Sequence, residues 1–427
     1  MTSTNRRDFV RTLAAGTAAV IAGEGIAPAQ DRKVRLGLIG CGWWGMINVN
    51  AAFKAGGVEV VAICDVDSEN LEKSAADIAK VQGSRPKTFK MYREMLDHPG
   101  LEAVIIATPP HWHALQFIDA CRKGLDIYCE KPVSYDLREG RAMIEAAKKS
   151  GRVVQIGFQR RQSDSVKAAA EYVRSGNAGR ILQVDAQILY NPGLAPKKSA
   201  APPPTLDWDE WCGPAPKIPF HSNIIHKNWR HELAYGNGHM IDWGIHWIDA
   251  IRVVLGESMP RTISAVGGNY HSQDRMNTPD LLTVNYEFER CPVVWRHRLW
   301  GVEEYSPETN IGMFFYGEKE SIFLNDQKMV VMPKGKNAER RVIESKGDTS
   351  AMHLRDFLDC VRTRRQPACM IEDAYQSNAT VQLGMIAYLS GSKVTWDAAN
   401  EKILGNPVAA RMLKREYRAP WKHPYSG

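Results

Sequence analysis

The sequence contains no C-x-x-C pair: its eight cysteines lie at positions 41, 64, 121, 129, 212, 291, 360 and 369. The spacing that thiolate zinc sites and redox motifs use is therefore absent. Several of these cysteines lie in apolar runs such as "VAICDVD" and "LDIYCEKP", so they read as buried free thiols rather than a disulfide framework. No block of five like charges occurs, and the formal charge of +7 is mild for 427 residues. Composition thus gives no basis for a nucleic-acid partner. No internal repeat of fixed period is visible. The apolar run from Leu13 to Ile26 is too short, and too rich in Ala and Gly, for a bilayer span of about 20 strongly apolar residues; stable membrane insertion is not expected.

What stands at the N-terminus is a twin-arginine stretch, "TNRRDFVRT", with Arg6 and Arg7 ahead of that apolar run and of an A-x-A site at Ala27, Pro28 and Ala29. Charged start, short apolar middle and small-residue cleavage site occur in the order of a secretory signal. Residues 1–29 read as a Tat leader, removed on export to the periplasm or another exported location. Tat cargo travels folded, and the usual reason is a cofactor loaded inside. The remaining chain of about 400 residues exceeds what one core usually holds, so two domains are expected.

From Val34 short apolar runs alternate with helix-length amphipathic stretches, which is the pattern of βαβ units. "VRLGLIG", "VEVVAICD", "LEAVIIATPP", "LDIYCEKP" and "VVQIGFQ" read as parallel strands, with a helix from Trp44 to Ala55. Beyond Gln159 the pattern changes. A helix around Ser165 to Arg174, a proline-rich loop from Asn191 to Pro219 and a helical segment from Gly238 to Leu255 are followed by several alternating runs without intervening helices. The fold class is α/β: a Rossmann dinucleotide-binding domain at 34–158, then an α+β domain at 159–427 with a mainly antiparallel open sheet.

The first strand runs into "GCGWWG", Gly40-x-Gly42-x-x-Gly45, and an acid, Asp65, arrives twenty residues after the last glycine. Each position has a physical reason: Gly40 for the tight turn, Gly42 for approach of the diphosphate, Gly45 for close packing of helix on strand, the helix N-terminus for the phosphates. Trp43 and Trp44 belong to the same candidate site. Asp65 can accept bonds from both ribose hydroxyls and would repel a 2′-phosphate, which favours NAD over NADP; Asp67 nearby is a second candidate for the ribose.

"GCGWWG", "CDVD", "ATPPHWHA", "YCEKP", "GFQRR", "GNGHMIDWGIHWID" and "REYRAPW" together make the chain resemble the Gfo/Idh/MocA oxidoreductases over nearly its whole mature length. The resemblance implies that Lys131 of Glu130-Lys131-Pro132 sits beside nicotinamide and substrate, often ahead of a cis proline. It implies that Asp242 binds substrate and that His246 is the catalytic base. Asp242, His246 and Asp249 stand at i, i+4 and i+7, hence on one face if the segment is a regular helix. Asp242 would also orient the imidazole. Taken alone, these residues favour the plainer reading, in which His246 is a satisfied helix histidine and Asp249 a surface acid. Asp and His at i, i+4 can also ligate zinc, but no third ligand accompanies them, and no metal is expected.

Thr108, Pro109, Trp112 and His113 lie at the C-terminal end of a strand, where ligands bind in open α/β sheets. Trp229, Arg230 and Tyr235 precede the Asp-His segment and suit sugar rings. Gln159 is placed near the nicotinamide or substrate by resemblance only. Free NAD is scarce outside the cytoplasm, so an exported enzyme should keep and recycle it. The expectation is an NAD-dependent oxidoreductase for a secondary hydroxyl of a carbohydrate, sugar or glycoside, a glycoside 3-dehydrogenase being one form. The alternative is a glycosidase working by transient oxidation, elimination and re-reduction. The presence of Lys131 and His246 argues against a non-catalytic sugar-binding protein. The family also implies a homo-oligomer.

Overall fold

The segment "VRLGLI" is apolar almost throughout because strand β1, Val34–Ile39, has helices on both faces, the condition under which a parallel strand loses its alternation. Five further strands join it: β2 (Val58–Cys64), β3 (Lys87–Phe89), β4 (Ala103–Ile106), β5 (Asp126–Glu130) and β6 (Val154–Gly157). Every pairing is parallel, and the order is β3-β2-β1-β4-β5-β6. The chain leaves β1 towards β2 on one side and returns to β4 on the other. A crevice therefore opens between the ends of β1 and β4, the switch point where such sheets bind ligands. The three-residue β3 carries too little apolar sequence to be legible in advance.

The computed structural model describes residues 32–301, 309–335 and 338–426. The twin-arginine stretch and its cleavage site lie outside the described residues. Among the described residues, no helix is long and apolar enough to cross a membrane. All eight cysteines are buried and free.

The second sheet has ten strands: β7 (Ile181–Leu189), β8 (Thr262–Gly268), β9 (Leu281–Glu287), β10 (Pro292–Arg298), β11 (Ile311–Gly317), β12 (Glu320–Leu324), β13 (Lys328–Pro333), β14 (Arg341–Glu344), β15 (Val394–Asp397) and β16 (Lys402–Leu404). Their order is β14-β13-β12-β11-β7-β10-β9-β8-β15-β16. Only β7 and β10 pair in parallel; the other neighbours are antiparallel. The run "IGMFFYGEKESIFLN" is the hairpin β11–β12. Two helices unread in the sequence, Thr349–Thr363 and Ile371–Ser390, lie between β14 and β15 in the chain. The first returns to β1, where Leu354, Phe357 and Leu358 share a core with Val34, Leu36 and Leu38. The larger apolar core runs unbroken from Ile106 and Phe117 to Val284 and Trp295, so the two sheets are held by continuous packing.

The segment expected to be helical from Gly238 to Leu255 has a π turn over Met240–Gly244 and becomes an α-helix at Ile245–Leu255. A π turn adds a residue per turn and shifts side chains around the axis, a device common at functional sites. It places Asp249 away from the role of a surface acid. Asp249 is 2% exposed and receives a two-pronged bond from Arg161, at 2.9 and 2.6 Å, with Ser377 at 2.7 Å. Arg161 follows β6, so this pair ties the first sheet's end to the helix that carries His246.

Breaking one side of a desolvated pair leaves a charge buried, at a cost of about 3–5 kcal/mol. Arg161→Met should lower unfolding free energy by that amount in urea titrations, and Arg161→Met with Asp249→Leu should recover much of it. A loss below about 1 kcal/mol for the single variant is what a solvated pair would give and contradicts this assignment.

Candidate functional site

The glycine turn after β1 meets the demands its spacing implies. Gly40 has φ of +92°, and a Cβ there would lie 2.9 Å from the backbone of Ala107 and Thr108. A Cβ on Gly45 would lie 1.9 Å from the Gly40 carbonyl oxygen, so helix and strand touch only through glycine. Gly42 faces open space. The helix Trp43–Ala55 has neither a side-chain cap nor an acid in its first turn, which leaves its N–H groups for an anionic ligand.

Asp65 closes this end. Its carboxylate accepts from the Cys41 amide at 2.7 Å and the Asp67 amide at 2.9 Å, and burial pushes its pKa up to about 6 against those bonds. Asp67 is the N-cap of the helix Ser68–Gln82 and pairs with His226 at 3.0 Å. A cavity runs over Gly40, Gly42, Trp43, Trp44, Asp65, Thr108, Pro109 and Trp112; Asp65 lines it and Asp67 does not. Glycine turn, uncapped helix end and acid at the tip of β2 fit a dinucleotide such as NAD. Gly42 would face its diphosphate and Asp65 its ribose.

A second cavity of about 490 Å³ adjoins the first and shares Trp43, Trp44, Thr108, Trp229 and Arg230 with it. Its floor brings Lys131, from the end of β5, against the π turn. Lys131 Nζ donates to the Asp242 carbonyl at 2.7 Å and to its carboxylate at 2.9 Å. Arg230 Nε donates to the same carboxylate oxygen at 3.2 Å. Burial opposes charge on Asp242, yet Lys131 and Arg230 hold its carboxyl far below the usual carboxylate range. Burial lowers the Lys131 pKa, partly offset by Asp242. His246 lines the same cavity. Burial first, then Arg160 and Lys131, push its pKa well below the ordinary histidine value, so the imidazole is neutral near pH 7.

Several expectations need correction. Asp242 does not orient His246: its bonds go to the two cations, and His246 Nδ1 is buried without a partner. Tyr235 lines neither cavity; it is fully buried beside Trp208 and Trp211, with its hydroxyl donating to Pro216 O at 2.9 Å. His113 also lies behind the wall, its ring nitrogens 2.7 and 2.8 Å from the carbonyls of Pro132 and Thr108. It thereby braces the Lys131–Pro132 turn, whose peptide is cis. Gln159 is buried and donates to Glu130 at 2.8 Å and to the Tyr128 hydroxyl at 2.9 Å. Asn48 donates to the same Glu130 oxygen at 2.9 Å, so Glu130, which lines the second cavity, is held from two elements besides its own strand.

Arg160, Tyr190, Lys227, His231 and His239 line the second cavity without having been singled out. Arg160 stood in the quoted "GFQRR"; its ring contacts with Trp243 and Trp247 were not legible. Tyr190 and His239 are 2.7 Å apart, from positions 49 residues distant. Among the described residues the one cluster of potential metal ligands, Asp136, Glu139 and His423, is already engaged: Arg415 and Tyr417 donate to Glu139.

Comparison with known proteins matches residues 34–158 to the model of the oxidoreductase family, NAD-binding Rossmann fold, and residues 188–423 to that of the oxidoreductase family, C-terminal alpha/beta domain. An inositol 2-dehydrogenase of Leifsonia xyli is 36% identical over 151 residues, 35% of this chain and 43% of that protein. A glycosyl hydrolase family 109 protein of Stenotrophomonas maltophilia is 30% identical over 192 residues, 44% of this chain and 42% of that one. The chain spans about half the length of the curated relatives it matches. A solved levoglucosan dehydrogenase in complex with NADH and levoglucosan superposes with a TM-score of 0.67 at 20% identity, covering 85% of this chain and 99% of that one, which shows the shared fold.

Asp65 must be ionised to accept from ribose hydroxyls. Because its pKa lies at about 6, NADH affinity, followed by fluorescence titration, should hold above pH 7 and weaken as pH falls through 6. Asp65→Asn should bind weakly and without that dependence; an unchanged profile in the variant removes Asp65 from the site.

Proposed function

The chain belongs to the Gfo/Idh/MocA oxidoreductase family, and from that premise we propose that it oxidises a secondary hydroxyl of a sugar or glycoside with NAD. The observation that carries this reading is the meeting of Lys131, Asp242 and His246 in a cavity that opens into the dinucleotide cleft. The cavity's size and its mix of indole faces and charged groups suit one or two sugar rings.

NAD, when bound, supplies a hydride acceptor for the carbon that carries the reacting hydroxyl. His246 takes the hydroxyl proton as a neutral imidazole, a base whose protonation state matches the task. Its Nδ1 is buried without a partner, so Nε2 is the nitrogen left to meet the substrate. Lys131 donates a hydrogen bond to the same hydroxyl oxygen and favours its conversion to a carbonyl. Asp242 keeps Lys131 charged and aimed, and with Arg230 it offers both acceptor and donor to neighbouring hydroxyls. Trp43 and Trp229 present indole faces to the ring.

Export through the Tat pathway extends this proposal: the twin-arginine leader is its support, and a cofactor loaded before export and regenerated in place is its consequence. A hydrolase working through transient oxidation stays as a second reading, favoured by the glycosyl hydrolase family 109 relative.

The test incubates NAD-loaded protein with polyols, free sugars and aryl glycosides, following NADH by absorbance and products by mass spectrometry. A keto-sugar or keto-glycoside supports the proposal; phenol with unoxidised sugar replaces it with the hydrolase. Protein that binds NAD yet changes no carbohydrate contradicts both. With a substrate in hand, His246→Gln should lower kcat by about 10²–10⁴ while NADH affinity stays unchanged. The acid limb of kcat/KM should lie well below the ordinary histidine range, and Arg160→Gln should move it upward, because after burial Arg160 contributes most to disfavouring the imidazolium.

A further inference from the structure

The dinucleotide cleft has two walls. One is the Rossmann turn; the other comes from residues 205–230, which precede the π turn in sequence and reach back across the tip of β2. The Ser68 amide donates to Thr205 O at 2.9 Å and the Asp207 amide to Val66 O at 3.0 Å, with an antiparallel bridge between Asp67 and Leu206. Side chains repeat the attachment at both ends of the segment. Lys90 pairs with Asp207 at 2.6 Å, and His226 pairs with Asp67 at 3.0 Å. Trp208 and Trp211 stack at 4.8 Å and stiffen the middle. Glu210, Trp211, His226, Trp229 and Arg230 line the cleft opposite Gly42 and Asp65.

Lys227 is placed differently from the other cations here. Lys131 and Arg230 pair with Asp242, and Arg160 with Asp326. Among the described residues, Lys227 Nζ shows no carboxylate partner and lies 4.7 Å over the ring of Trp43. Trp43 is the first residue of the helix after Gly42. Lys227 lines the second cavity and Trp43 lines both. The ammonium therefore stands over the first side chain of the uncapped helix where the two cavities join, on the side from which a cation would reach a diphosphate held at Gly42, where the glycine turn offers only backbone N–H groups.

We propose that residues 205–230 are a clasp that completes the dinucleotide site, with Lys227 as its diphosphate cation, so that the cofactor leaves only when the clasp lifts. This rests on the NAD reading above and supplies a physical basis for retaining the cofactor between turnovers. The cation comes from the same stretch that carries Arg230 to Asp242, so the clasp forms part of the wall of both cavities.

The test needs no sugar. Full-length protein loaded with NADH is mixed with excess NAD, and loss of NADH is followed by fluorescence transfer from the tryptophans. Lys227→Met should speed NADH loss by roughly tenfold or more, the effect of removing one charge-assisted contact; Lys227→Arg should restore retention. Backbone hydrogen exchange across 205–230 should slow when NADH is bound. An off-rate in Lys227→Met equal to wild type, or no protection of 205–230 by NADH, overturns the clasp and leaves the oxidoreductase reading standing. Wild-type protein that binds no NADH at all overturns both.

Discussion

The contact between Lys131 and Asp242 is where the two halves of the chain meet chemically. Lys131 ends β5 of the parallel sheet; Asp242 lies in the π turn that leads to His246. Each side chain is about one-eighth exposed, at 12% and 14%, so neither charge is tolerable without the other. Asp242 carries a second cation, Arg230, which fixes the carboxylate as charged whatever the pH near neutrality. A lysine held on a strand end, beside a permanently ionised partner, cannot drift, and the neighbouring imidazole is kept neutral first by burial and then by the charges of Arg160 and Lys131. The site's protonation states follow from this arrangement.

Glu130 supports it from below. Asn48 comes from the helix after the glycine turn, Gln159 from the turn after β6, and both donate to one Glu130 oxygen while the Lys131 amide donates to the other. The residue ahead of Lys131 is thus tied to the helix whose N-terminus faces the cofactor cleft. Cofactor site and Lys131 share one rigid frame, as a short-range transfer between substrate and cofactor requires.

The glycine turn and Asp65 were legible because their reasons are local: left-handed φ at Gly40, contact at Gly45, and an acid at a strand tip, each following from a few consecutive residues. Lys131, Asp242 and His246 were legible through the family pattern, and the structure brings all three to one cavity. What escaped was set by distant contacts. Tyr235 read as a sugar-facing ring, since its identity does not tell a cavity wall from an aromatic core. Asp249 shared the helical spacing of Asp242 and His246, yet the π turn and Arg161 drew it into the interior. Lys227 gave no signal because its meaning depends on Trp43, 184 positions earlier.

The central claim is that the hydrogen on the substrate carbon passes directly across the junction of the two cavities. Its most direct measurement uses NAD-loaded protein and a sugar deuterated at the reacting carbon, with the isotope content of the NADH read by mass spectrometry. The account predicts one deuterium in each NADH formed and a slowed reduction step. NADH formed without deuterium contradicts it.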